Sequence, residues 1–75
     1  MLYTICNEPD EEIFVKQCSA IEKNIPGLKK DNVLEDVDGT KIQIYHYGEN
    51  LIKVINSFYV NALYVESTED IKKYF

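Results

Sequence analysis

The amino-acid sequence predicts a small α+β domain in which an antiparallel sheet packs against one helix. One segment near the start carries apolar residues at helical spacing, whereas most of the later chain alternates as strands do. Short turn signals separate the alternating runs, which indicates hairpins rather than parallel crossovers. We therefore expect a single domain over residues 1–75 with the element order β-α-β-β-β-β-α.

The first two elements are a strand and the main helix. Leu2–Cys6 is rich in β-forming residues and predicts a short strand. Asn7 and Pro9 then indicate a helix start, because a capping side chain and a proline in the first turn are typical there. Pro26 and Gly27 end the helix. Its apolar stripe is predicted to consist of Phe14, Cys18, Ile21 and Ile25.

The next segment predicts a hairpin. Asp38-Gly39 is a favoured two-residue turn, and it separates the strand-like runs Val33–Val37 and Thr40–Tyr47. That turn places Asp36 opposite Lys41, where the two side chains would form a cross-strand ion pair.

A second hairpin follows if Gly48, Glu49 and Asn50 form its loop. This register places Tyr45 opposite Lys53 and Tyr47 opposite Leu51. The helix would then cover one sheet face, with Ile42, Ile44, Ile52 and Val54. The other face, with Tyr45, Tyr47, Leu51 and Ile55, would need the C-terminal helix, a second copy of the chain or another protein to cover it.

Residues 51–66 admit two interpretations. Two strands, Leu51–Asn56 and Val60–Glu66, are favoured over one helix because the residues are poor helix formers. A final helix is predicted from Thr68 onward, because Ser67 and Asp70 have the spacing of a capping box. Its residues Ile71, Tyr74 and Phe75 would dock on the sheet.

The charge balance of the sequence indicates which classes of partner the chain can bind. Thirteen acidic residues face eight basic ones, all Lys, and the net charge is −5. A net-acidic chain without Arg is poorly suited to bind nucleic acid or an anionic membrane, so we expect neither. The abundance of Ile, Lys, Asn and Tyr suggests an AT-rich bacterial or phage genome. With no membrane-length apolar stretch and no secretory signal, we expect a cytoplasmic protein.

No residue pattern indicates catalysis. Asp36-Val37-Asp38-Gly39-Thr40 resembles the nucleophile motif of haloacid-dehalogenase-type phosphotransferases, but the mixed residues before it are not the buried apolar strand of that family. A hairpin turn explains all five residues. Cys6, Cys18 and His46 form no metal or catalytic spacing, and we expect reduced thiols, no cofactor and no enzyme activity.

The leading hypothesis is a non-catalytic interaction or regulatory module, of an inhibitor- or immunity-like kind. Its partner would be another protein or a second copy of the chain, and its acidic residues would steer a basic partner. The alternative is a small-ligand-binding domain, alone or as a homodimer, with a pocket near Cys6, Cys18 and His46. The predicted contact residues are Glu35, Asp36, Asp38, Tyr45, Tyr47, Leu51, Lys53, Phe58 and Tyr59.

Overall fold

The computed structural model describes residues 1–74 and confirms the α+β class. One α-helix lies on a six-stranded antiparallel sheet with strand order β1-β6-β5-β4-β2, and β3 also pairs with β4. The elements are β1 (Leu2–Cys6), α1 (Glu11–Asn24), β2 (Lys29–Lys30), β3 (Leu34–Glu35), β4 (Lys41–Tyr47), β5 (Asn50–Ser57), β6 (Ala62–Ser67) and a 3-10 turn, η1 (Lys72–Tyr74).

Helix α1 begins later than predicted. Asp10, rather than Asn7, is the N-cap, and its carboxylate accepts the Ile13 N–H at 3.0 Å. The Asp10 N–H in turn donates to the buried Asn56 side chain, which joins the helix start to β5. The predicted stripe is confirmed, because Phe14, Cys18, Ile21 and Ile25 are all buried.

The first hairpin differs from the prediction by one residue. Asp36 N–H donates to Thr40 O, so the loop has three residues, and Gly39 adopts a φ of +90°. This is the three-residue hairpin in which a glycine takes the left-handed position. The predicted ion pair between Asp36 and Lys41 is wrong, because Lys41 Nζ lies 2.7 Å from Glu11 Oε1 instead.

The second hairpin also differs by one residue, and here the shift moves the side chains of β4 to the opposite sheet faces, whereas those of β5 lie on the predicted faces. Tyr47 pairs with Asn50, so the turn consists of Gly48, with a φ of +60°, and Glu49 alone. Tyr45 consequently pairs with Ile52 rather than Lys53. Because successive side chains alternate between faces, a one-residue shift moves a whole strand's residues to the opposite face.

The chain beyond the second hairpin forms two strands, as favoured, and not a helix. A four-residue turn joins β5 to β6, and Asn61 occupies its left-handed position with a φ of +54°. The predicted final helix from Thr68 is wrong, since only η1 forms, and Asp70 accepts the Lys72 N–H at its start. The predicted docking of Phe75 lies outside the described residues.

The hydrophobic core lies between α1 and one face of the sheet. Ile21, Tyr45, Ile52, Val54 and Leu63 are completely buried there. The segment after β6 closes the same side, because Ile71 is buried in the core and the Tyr74 hydroxyl is 2.7 Å from that of Tyr47. Among residues 1–74, the helix and the C-terminal segment therefore both cover the same sheet face.

Candidate functional site

The sheet face opposite α1 has no covering element among residues 1–74, and we call it the open face. The register joins its side chains into rows that cross four or five strands. Ile55 is the most buried of its apolar side chains, yet it does not belong to the hydrophobic core cluster beneath α1. The apolar residues of the open face are Leu2, Leu34, Ile42, Ile44, Leu51, Ile55, Ala62 and Tyr64, and Lys53 and Glu66 stand among them.

A second exposed apolar region lies at one end of the sheet, on two adjacent turns. Val37 is fully exposed on the turn that joins β3 to β4, and Tyr59 is 89% exposed on the turn that joins β5 to β6. Phe58 and Val60 flank Tyr59 and are about half exposed. We call these four residues the turn-tip surface.

Contacts between the two turns hold the turn-tip surface together. The Phe58 N–H donates to the Thr40 hydroxyl at 3.0 Å. The Phe58 ring packs over Gly39, where an added Cβ would lie 3.4 Å from the ring. Ser57 Oγ accepts the Val60 N–H at 3.1 Å and fixes the second turn. The exposed side chains are thus presented by anchored turns rather than by a long loop.

Three predicted acidic residues border the turn-tip surface. Glu35 ends β3, and Asp36 and Asp38 lie in the turn, all of them exposed. The backbone N–H of Thr40 donates to the Asp38 carboxylate and lowers its pKa, so this carboxylate is ionised at neutral pH. The structure therefore brings together five of the predicted contact residues, namely Glu35, Asp36, Asp38, Phe58 and Tyr59.

The four remaining predicted contact residues lie elsewhere. Tyr45 is completely buried under α1, where its hydroxyl donates to Glu22 at 2.6 Å, so it cannot form a contact surface. Tyr47 is half-buried on the same face and packs edge-on against Tyr74. Leu51 and Lys53 lie on the open face, both partly exposed.

The predicted ligand pocket near Cys6, Cys18 and His46 does not assemble. His46 lies on the open-face side of β4, 2.6 Å from Asp31, whereas Cys18 is buried in the core. Both cysteines are free, and burial raises the pKa of the Cys18 thiol. A groove of about 420 Å³ does exist beside α1, lined by Tyr3, Ile5, Gln17, Val65, Ile71 and Lys72.

Sequence reasoning missed the most exposed residues of these surfaces. Val37 was assigned to a strand, although a three-residue loop before Thr40 would have made it a turn residue. Val60 was likewise assigned to a strand, and Asn61, which tolerates a positive φ, was the available signal for a longer turn. Ile42 and Ile44 were assigned to the covered face because the loop length was wrong.

Comparisons with known proteins add no relative. No family model matches the chain, and neither the curated proteins nor the solved structures yield a match. Within residues 1–74, no three side chains from His, Cys, Asp and Glu converge as ligands for a metal ion. No α-helix in that part of the chain combines the length and the apolar character needed to cross a bilayer.

Proposed function

We propose that this chain is a non-catalytic protein-binding module and that the turn-tip surface is its contact site. The observation that carries the proposal is the exposure of Val37, Phe58, Tyr59 and Val60 on two turns that are anchored to each other. An aromatic ring at a turn tip adds little to the core, but it can fill a pocket on a partner at small entropic cost.

The partner we propose carries an apolar pocket with a basic border. Glu35, Asp36 and Asp38 are exposed beside the turn-tip surface, and no ion pair holds them within residues 1–74. Opposite charges at the border of an interface accelerate association and select partners. Inhibitor- or immunity-like regulation of a basic protein in the cytoplasm of a bacterium or phage-infected cell fits this chemistry.

The test is a binding measurement with matched variants. A photo-crosslinking residue at position 59 should capture a protein, which is then purified and titrated with each variant. Tyr59→Ser should weaken binding at least about tenfold, as expected for an aromatic anchor. Raised salt should weaken the binding of every variant, because it screens the attraction between the acidic residues and the basic border of the partner. Val15→Ser is the matched control, because Val15 is also about half exposed but lies on α1 rather than on either turn.

Two results would contradict this function. One is equal binding by wild type, Tyr59→Ser and Val37→Ser. The other is equal loss of binding in Val15→Ser, which would place the contact on the helix side of the domain.

A second candidate function is small-ligand binding in the groove beside α1. Its volume of about 420 Å³ lies within the range of small-molecule sites, and its base is formed by the buried Val65 and Ile71. Lys72 at its border would favour a ligand with an apolar body and a carboxylate. A thermal-shift screen of such acids, repeated with Lys72→Glu, tests this candidate, and it fails if none stabilises the wild type.

A further inference from the structure

The open face combines apolar surface with a self-complementary pattern of charge. One row across the sheet reads Leu2, Glu66, Lys53 and Ile44, on β1, β6, β5 and β4 in turn. The row therefore has apolar ends and one charge of each sign at its centre. Neither Glu66 nor Lys53 is ion-paired within residues 1–74.

The neighbouring row carries no charge and is apolar apart from Thr4. It reads Thr4, Tyr64, Ile55 and Ile42 across the same four strands. A two-fold axis parallel to the strands, between β5 and β6, would exchange the two halves of each row. It would set Glu66 of one copy against Lys53 of the other and Tyr64 against Ile55, with Leu2 against Ile44.

We propose that the open face is a two-fold interface with a second copy of this chain, centred on β5 and β6. The two-fold arrangement gives the dimer two reciprocal Lys53–Glu66 pairs and places Leu2 opposite Ile44 and Tyr64 opposite Ile55. Isologous interfaces require a surface that is complementary to itself under the symmetry operation, and both rows meet this requirement. A concavity of about 640 Å³ on the β1–β6 half, lined in part by Leu2, Ala62 and Tyr64, receives the β4–β5 half of the other copy.

The charge distribution permits this contact even though each chain carries a net charge of −5. Lys53 and Glu66 cancel at the centre of the open face, and Asp31, which lies beside Ile44, is 2.6 Å from His46 Nε2. Much of the acidic excess lies at the start of α1 and at the first turn, away from the centre of the interface.

The size of the open face predicts a weak, concentration-dependent dimer. Four strands about 4.8 Å apart, with about seven residues at about 3.3 Å each, give a face of roughly 19 by 23 Å. Two copies would bury on the order of 900 Å², below the roughly 1,200–2,000 Å² of stable complexes. We therefore expect monomers in dilute solution and dimers in concentrated solution.

Analytical ultracentrifugation of the purified chain tests the proposal over about 5 to 500 μM, a range suited to a weak complex. The mass should rise from 8.7 kDa toward twice that value. Ile44→Asp and Leu2→Asp should each keep the mass at that of one chain at every concentration. Val15→Asp, on the exposed side of α1, should dimerise as the wild type does.

A charge exchange separates this two-fold arrangement from other contacts. Lys53→Glu and Glu66→Lys should each weaken dimerisation at least about tenfold, because each places like charges across the axis. The double variant should return to within about threefold of the wild type. Lys53 and Glu66 are also neighbours within one sheet, so each substitution can change the stability of the single chain. The thermal stability of each variant at the lowest protein concentration, where the chain is monomeric, measures that change.

The proposal is overturned if the wild type remains a monomer at the highest concentration. It is also overturned if dimers form and survive Ile44→Asp and Leu2→Asp, since the contact would then lie elsewhere. A double charge exchange no better than the single ones would contradict the two-fold axis. Tyr59→Ser should leave the dimer intact, so loss of partner binding and loss of dimerisation are separable.

Discussion

Tyr45 shows at the scale of one residue how burial decides the role of a side chain. It shares one face of a strand-like run with Lys41 and Gln43, and nothing in its type distinguishes a core residue from an interface residue. In the fold it is completely buried, and its hydroxyl donates to Glu22, which Lys30 Nζ approaches at 3.3 Å. Burial, followed by the bond to Glu22, raises the pKa of Tyr45, so the hydroxyl stays protonated as a donor.

Replacement of Tyr45 should therefore damage folding rather than binding alone. Tyr45→Ser should lower the free energy of unfolding by about 3–5 kcal/mol, as expected when a large buried side chain is removed. The measurement is urea denaturation followed by circular dichroism. Tyr59→Ser is the control, and it should remain within about 0.5 kcal/mol of the wild type because Tyr59 is exposed. Equal stability of the two variants would contradict the burial of Tyr45.

Asp38 gives the first turn a predictable dependence on pH. Its pKa is lowered from 3.8, first by the Thr40 N–H, so the unfolded chain takes up a proton at a higher pH than the folded chain. The stabilisation is fully present above about pH 4 and is lost as the pH falls through the lowered pKa. The difference in stability between wild type and Asp38→Ala should thus shrink from about pH 6 to about pH 2.5. Denaturation at each pH measures it, and a constant difference would contradict this role.

At the scale of elements, α1 was predictable because its signals are local. The apolar stripe and Pro26 fixed the helix face and its end, and both agree with the structure. The cap could not be chosen from sequence, because Asn7 and Asp10 are both good capping residues near Pro9. Asp10 is the cap because of a tertiary contact, in which its N–H donates to the side chain of Asn56 on β5.

The cap assignment can be tested with a matched pair of substitutions. Asp10→Ala should lower the free energy of unfolding by about 1 kcal/mol, because the Ile13 N–H loses its acceptor. Asn7→Ala should change it far less, since Asn7 is exposed before the helix. Thermal unfolding of both variants measures the two effects. A larger loss for Asn7→Ala than for Asp10→Ala would reinstate Asn7 as the cap.

The register of β4 against β5 was not predictable from sequence, and the physical reason is specific. Gly48, Glu49 and Asn50 can form a loop of two or three residues, and local chemistry does not choose between them. Alternation cannot choose either, because β4 carries Ile42 and Ile44 on one face and Tyr45 and Tyr47 on the other. The choice is made by packing, since Tyr45 rather than Ile44 fits beneath α1 beside Ile52.

At the scale of the whole molecule, one helix covers a six-stranded sheet on one side only. The sequence predicted apolar residues on both faces, which the structure confirms, but it exchanged the covered and the bare side chains of β4. The turn-tip surface adds a further apolar region at one end of the sheet. A chain of 75 residues has a limited core, so association through the open face would bury apolar surface that the single chain leaves exposed.

Isoleucine methyl NMR can decide whether Ile42 and Ile44 lie on a bare face while Ile52 and Ile21 lie in the core. A soluble gadolinium chelate added to dilute protein broadens the methyl signals that solvent reaches. We expect strong broadening for Ile42 and Ile44, which are half-buried on the open face, and little for Ile52 and Ile21, which are completely buried. Protection of Ile44 as complete as that of Ile52 would contradict the observed register and restore the one with a three-residue loop.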